Sequence, residues 1–311
     1  MNSGAQPMRA RPWNIILPIA FAIGCVPSIL AIFLDFRGVG SHAVIYTDAA
    51  ATWLAGGNPW SVGPPAAMFA GPPPMLLLFA PFTVLPIDVN RLVWVLGALA
   101  MVLWTIRRLG LPGYWLAFPP FVQAIHLGHP EPLVLVALIA GGAFSGLIAL
   151  VKPYAGLGLL AERRWVAIAV ACLVGIATIP ILPWGLFIDQ LPTIAGRIVT
   201  QSNGGSVFPQ PVLMLIAVAS FAVIGLRRSL WLATPVLWPY AQSMYKVMTV
   251  PFLSPLIASI WALPVPAATL PAVVVEAVLI GVARRRPLPQ WLSTGIGYGS
   301  TAAGSTWMRA A

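Results

Sequence analysis

Seven acids, three histidines and two lysines are the side chains of this 311-residue chain best suited to move a proton or hold an anion. A carboxylate or a neutral imidazole set against a hydroxyl is a general base. A buried lysine or arginine neutralises an anionic leaving group as its charge develops. Asp35, His42 and Asp48 crowd into one early stretch, and Asp189 lies in a later loop. Asp88, Glu131 and Glu162 stand at turns beside charges or helix starts, where capping or solvation is the ordinary role. Glu276 is embedded in an apolar run. An intramembrane carboxylate is a functional candidate by default, although Arg284 lies only two turns on and snorkelling is the alternative. His126 and His129 flank Gly128, and Glu131 is the only further ligand nearby in sequence. A metal site needs more than that at set geometry, so none is expected.

Elements that could position these groups follow from composition. Apolar residues make up 59% of the chain and charged residues 8%, with a mean hydropathy of +0.90. Soluble domains carry about 25% charged residues, so lipid is the expected solvent for most of this surface. The net charge of +10 comes in short clusters at the ends of apolar runs: Arg9 and Arg11, Arg107 and Arg108, Arg163 and Arg164, Arg227 and Arg228, Arg284 to Arg286. That pattern is juxtamembrane anchoring and phospholipid contact, not nucleic-acid binding. Cys25 and Cys172 sit in apolar runs and read as small core residues.

Trp13 to Leu34 is long enough to cross a bilayer of about 30 Å, and reads as a retained first helix with its N-terminus in the cytoplasm. Residues 35–74 form a first outward loop, with a helix over Ala43 to Leu54 stopped by Gly56-Gly57. His42, Tyr46, Ala49 and Trp53 share one side of it, Asp48 and Thr52 another, as in an interfacial helix. Further spans are read near 75–87, 92–106, 112–127, 132–149, 153–161, 165–182, 210–226, 230–245, 249–263 and 267–283. Several are short and broken by proline, as where a protein handles a polar group at membrane depth. A second outward loop covers 183–209. The fold class is thus an all-α polytopic membrane protein of about ten or eleven spans, one domain over 1–286, with a Ser/Gly-rich tail at 287–311 that reads as disordered. Positive charge is distributed awkwardly in this scheme. Arg91, Arg163, Arg164, Arg227 and Arg228 fall inside, but Arg107, Arg108 and Arg284 to Arg286 fall outside. Either one short segment does not cross, or an anion holds those arginines outside. No internal repeat is visible, which counts against a transporter.

The first loop runs Ser41-His42-Ala43-Val44-Ile45-Tyr46-Thr47-Asp48, then a small-residue helix, Gly56-Gly57-Asn58-Pro59-Trp60 and Gly71-Pro72-Pro73-Pro74. This resembles the first extracytoplasmic loop of glycosyltransferase family 87, in the GT-C superfamily of polyprenyl-phosphate-sugar-dependent enzymes. Weaker pieces follow in order over residues 13 to 260: Gly128-His129-Pro130-Glu131, Lys152-Pro153, Arg163-Arg164-Trp165, Gln201-Ser202-Asn203-Gly204 and Pro239-Tyr240-Ala241-Gln242-Ser243-Met244-Tyr245.

The resemblance implies a GT-C-like bundle in a bacterial plasma membrane with its active site on the outer face. It implies transfer of a hexose or pentose from a polyprenyl phosphate to a glycolipid or glycan acceptor, with inversion. No cofactor is implied, because the donor is lipid-linked; no Gly-x-Gly-x-x-Gly opens a helix after a strand. An acid in the first loop would be the base, with Tyr46, Asn203, Gln242 and Tyr245 against substrate. Lys152, Arg107 and Arg108 would face the donor phosphate; a snorkelling terminal lysine is the plainer reading of Lys152. The chain departs from the family at two places. His42 stands where an Asp is usual, four residues before Tyr46, and Met244 replaces a His. The base is therefore Asp48 or Asp35, or His42, whose ordinary pKa near 6.5 suits the task, or the protein is a non-catalytic member. A transporter or flippase of a lipid-linked or small polar substrate, centred on Glu276, is the rival.

Overall fold

The computed structural model describes residues 12–34, 38–63, 68–201, 205–208, 210–239 and 241–296. Asp35, Asn203 and positions 297–311 of the expected tail lie outside the described residues. Every element described is helical. In chain order the α-helices are α1 (Trp13–Leu34), α2 (Ser41–Leu54), α3 (Pro74–Phe79), α4 (Ile87–Arg108), α5 (Pro119–Leu127), α6 (Glu131–Ala140), α7 (Leu147–Val151) and α8 (Ala155–Ala161). They continue as α9 (Trp165–Thr178), α10 (Trp184–Gln201), α11 (Pro211–Ile224), α12 (Leu226–Leu237), α13 (Pro255–Ala262), α14 (Thr269–Ala283) and α15 (Gln290–Gly295). A ten-residue 3-10 segment, Ser243–Phe252, joins α12 to α13.

Proline explains why so many of these helices are short. It fits the first turn of a helix, where no N–H is needed, and breaks an interior. Accordingly α3, α5, α6, α11 and α13 each carry proline in their first two positions. Among the described residues three stretches are long and apolar enough to cross a membrane: Trp13–Leu30, Ile87–Arg108 and Pro266–Ala283. The pair α5 and α6, bent by 114°, would make a fourth if counted as one broken span. The remaining runs that read as spans in sequence are realised as shorter pieces. Residues 75–87 form α3 and a 3-10 turn, Ala80–Val84, together about 19 Å long. They pack against α2, and that length falls short of a bilayer of about 30 Å.

Helices α1 and α4 run in opposite directions. Asn90, at the start of α4, donates to Thr47 of α2 at 2.9 Å. Arg107 and Arg108 end α4, favourably placed for its dipole, about 25 Å along the helix from Asn90. Trp13, at the other end of α1, donates to the Trp291 carbonyl at 2.7 Å and lies over Gly295. The adjacent Ile296 carbonyl accepts from Arg228. Its neighbour Arg227 forks onto Glu162, next to Arg163 and Arg164. Arg284 reaches the Val223 carbonyl just before that same corner. The arginine clusters from 107 to 286 therefore gather at the Trp13 end of the bundle, opposite α2. Arg91, paired with Asp88 at 3.7 Å, stays at the α2 end. This reverses the arrangement expected from sequence for Arg91, Arg107 and Arg108, and removes the conflict in charge distribution.

Two more stretches differ from expectation. The loop read over 183–209 is mostly α10, an amphipathic helix with Pro192 inside it. Residues 290–295, within the segment read as disordered, form α15 against Trp13.

Candidate functional site

The α2 end of the bundle holds a cavity of about 350 Å³. Three stretches supply its polar wall and a fourth, the α5–α6 corner, backs it, each for a local reason. On α2, His42 and Tyr46 are one turn apart and share a face. Tyr46 is buried against Phe69, Phe79 and His129, so it faces protein, not the headgroup layer expected of an interfacial helix. Asp48 lies on the opposite, exposed side of α2.

At the end of α5, Gly128 adopts a left-handed conformation (φ 62°). A side chain there would come within 3.3 Å of Gly40 and Trp94. The glycine lets the α5–α6 corner nest against α2, with the Gly40 N–H donating to the His126 carbonyl at 2.8 Å. The corner delivers His129 and Glu131, 1% and 0% exposed. Glu131 does occupy the first turn of α6, where a carboxylate suits the helix dipole. Its side chain, however, turns inward.

Lys152 separates α7 from α8. The following Pro153 disfavours helical backbone at Lys152, which is extended (φ −134°, ψ 96°). That break directs its ammonium into the same cluster, with Tyr154 beside it. Gln242 and Tyr245, at the start of the long 3-10 segment, complete the polar wall.

The centre of the cluster is one carboxylate with three partners. Glu131 accepts from the Tyr154 hydroxyl, faces His129 Nδ1, and lies 3.5 Å from Lys152 Nζ. His129 Nε2 is 2.8 Å from the Tyr46 hydroxyl. With His129 Nδ1–H donating to Glu131, Nε2 is the acceptor and Tyr46 the donor. A relay Tyr46–His129–Glu131 thus runs from cavity wall to buried carboxylate. The His42 ring lies 4.9 Å from that of His129, and the Lys152 ammonium lies 5.5 Å and 5.7 Å from the rings of Tyr46 and Tyr245. Burial pulls the Lys152 ammonium down to about 7, while the facing carboxylate favours the charged form. Burial, then the positive Lys152, then His126 pull His42 to about 4, so its imidazole is neutral at ordinary pH.

The opposite wall is apolar. Trp184, Phe187, Leu191 and Ile194 line it at helical spacing along one face of α10. The loop before α3 closes a third side, pinned by Trp60 Nε1 donating to the Gly71 carbonyl at 3.0 Å. One wall therefore offers hydrogen bonds and a cation, and the other offers only hydrocarbon. Among the described residues no group of three or more metal-ligating side chains occurs.

Of the residues singled out in sequence, the fold brings together His42, Tyr46, Lys152, Gln242 and Tyr245. It does not bring Asp48, which is exposed on the far side of α2, or Arg107 and Arg108, which are exposed at the opposite end of α4. Met244 is buried in the core and does not line the cavity. Glu276 is buried against Arg228 at 2.7 Å; it lines neither this cavity nor a second one described below. Sequence reasoning missed His129, Glu131 and Tyr154 as a unit. The available signal was an imidazole and a carboxylate two residues apart, each next to Pro130, with Pro132 following.

Comparison of the chain with protein-family models, with curated proteins and with solved structures finds no match.

Proposed function

We propose that the chain is a membrane glycosyltransferase that moves a sugar from a polyprenyl phosphate to an acceptor hydroxyl, inverting the anomeric configuration. The observation that carries this reading is the two-sided cavity: Lys152, His42 and Tyr46, the last backed by buried His129 and Glu131, face a wall of α10 hydrocarbon across one space. Such a space suits a donor that is part phosphate and sugar, part lipid. The first-loop resemblance to glycosyltransferase family 87 points the same way.

The chemistry follows from these groups. The acceptor hydroxyl gives its proton to the Tyr46 oxygen as Tyr46 passes its own to His129 Nε2. The imidazolium so formed is held by Glu131. The freed acceptor oxygen bonds to the anomeric carbon from the face opposite the phosphate. The bond from that carbon to the phosphate oxygen breaks, and its electron pair leaves on polyprenyl phosphate. The Lys152 ammonium stabilises the negative charge gained there. This reading moves the base from Asp48 to the relay, because Asp48 does not face the cavity.

Location belongs to the same proposal. Clustered arginines mark the cytoplasmic side of membrane proteins. The arginine-rich Trp13 end would then be cytoplasmic and the cavity extracytoplasmic, as a lipid-linked donor on the outer leaflet requires. The test is transfer by the purified protein from radiolabelled polyprenyl-phosphate sugars to a membrane glycolipid extract, with the product's anomeric configuration read by NMR. A labelled glycolipid of inverted configuration is expected. Absence of transfer under conditions where a related enzyme works would overturn the proposal.

A further inference from the structure

The second lysine of the chain, Lys246, is 2% exposed and lines a different cavity, of about 260 Å³. The two cavities lie on either side of the Ser243–Phe252 segment. A 3-10 helix repeats every three residues, so Gln242 and Tyr245 face the first cavity while Ser243 and Lys246 face the second. The remaining walls come from Gly24, Pro27 and Ser28 of α1, from the start of α5 including Gln123, and from Trp261 to Pro266. Gly24 is needed there for closeness, since a side chain would lie 1.9 Å from the Ala262 carbonyl oxygen.

Lys246 differs from buried Lys152 and half-buried Arg228. Lys152 faces Glu131 and Arg228 faces Glu276. No ion pair involves Lys246 among the described residues. Its ammonium has three N–H donors. It meets the Trp261 carbonyl at the long distance of 3.5 Å and the Trp261 ring at 5.7 Å. A buried charge is ordinarily paired, and here the space beside it is a cavity, not a carboxylate. Ser243 donates to Gln123 Oε1 at 2.8 Å, which leaves the Gln123 amide as a donor group on the same wall. The rim, Pro27 and Pro264 to Pro266, is exposed. It stands where the apolar stretch Pro266–Ala283 begins, beside the exposed apolar flank of α1 (Ile23, Val26, Ile29, Leu30).

We propose that the second cavity is an anion site that takes a phosphate group, with Lys246 as its counter-charge and Ser243 and Gln123 as neighbouring polar contacts. The phosphate belongs to a lipid headgroup or is free in solution. The site is independent of the transfer reading and stands if that reading fails.

The chain's two lysines make the test direct. Reductive methylation with 13C-formaldehyde gives a dimethylamine NMR signal from each and one from the N-terminal amine, the two lysine signals being those lost in Lys152→Gln and in Lys246→Arg. The methylated full-length protein in detergent is titrated with dioctanoyl-phosphatidylglycerol, inorganic phosphate or dioctanoylglycerol. The Lys246 signal is expected to move with either phosphate-bearing ligand and not with dioctanoylglycerol. Movement with phosphatidylglycerol at concentrations where inorganic phosphate is silent assigns a headgroup; movement with both at similar concentration assigns a free anion. No movement with either, or equal movement with dioctanoylglycerol, overturns the site. In unmethylated protein, native mass spectrometry of phosphatidylglycerol binding is expected to show about a tenfold loss in Lys246→Gln. Lys246→Arg is expected to retain that binding. Equal binding by Lys246→Gln would overturn the site, and retention by Lys246→Arg keeps the test open should the glutamine variant fail to fold.

Discussion

At the scale of residues, four groups divide the work of the proposed reaction. Glu131 fixes the tautomer of His129, His129 receives from Tyr46, and Lys152 supplies charge. Tyr46→Phe and His129→Ala each remove one link of the proton path, so each should lower kcat by about 10²–10⁴ with little change in KM, measured by steady-state transfer kinetics. Glu131→Gln should do the same while freeing His129 to adopt either tautomer. Lys152 sets a pH dependence. An amine pulled to about 7 is cationic below that value and neutral above it. Phosphate binding demands the cation, so affinity for a polyprenyl-phosphate lipid should fall as pH rises through about 7 to 9. The midpoint should lie above 7, because the bound anion itself favours the protonated amine. Lys152→Arg, whose guanidinium stays charged, should flatten that profile in a binding titration across pH; an unchanged slope would remove Lys152 from the phosphate. His42, held at about 4, contributes no titration in this window.

At the scale of elements, the site depends on breaks. Gly128 turns the chain between α5 and α6, and Pro153 separates α7 from α8 and sets Lys152 extended. Gly128→Ala places a side chain in a left-handed conformation, about 1–2 kcal/mol unfavourable, and against Gly40 and Trp94 at 3.3 Å. It should lower the melting temperature and disturb His129 together. Pro153→Ala removes the restriction on Lys152 and should weaken phosphate-lipid binding more than stability, read by comparing the two measurements. These breaks explain what was legible in the chain. The helix over Ala43 to Leu54 and its stop at Gly56 could be read because an amphipathic run ends in glycine. The placement of His42 and Tyr46 on one face followed from the period of 3.6. Glu131 could not be placed, since its position in a helix's first turn is equally that of a capping residue. Only the 114° corner turns it onto Lys152 and Tyr154, some twenty residues away. Helix α10 was hidden because Asp189, Gln190 and Pro192 interrupt its apolar face in sequence, although Trp184, Phe187, Leu191 and Ile194 remain aligned in space.

At the scale of the whole molecule, polarity along the bundle is the organising feature. Arginine clusters from Arg107 to Arg286 gather at the Trp13 end, and the cavity opens at the other. Counting along the sequence could not show this order, because residues 75–87, read there as a span, hold only about 19 Å of helix and leave α1 and α4 antiparallel. Cys25 is buried and Cys172 exposed, so a version lacking both allows single-cysteine mapping. An impermeant maleimide on intact cells should label Asp48→Cys and not Arg108→Cys; the reverse pattern would place the cavity in the cytoplasm. The account as a whole rests on the cavity being the site of transfer, with the relay as its base. The most direct measurement is the transfer rate from a radiolabelled polyprenyl-phosphate sugar by purified wild-type protein, His129→Ala and Asp48→Asn in parallel. Loss in His129→Ala with a near wild-type rate in Asp48→Asn is the result predicted. Loss in Asp48→Asn with His129→Ala still active would contradict it.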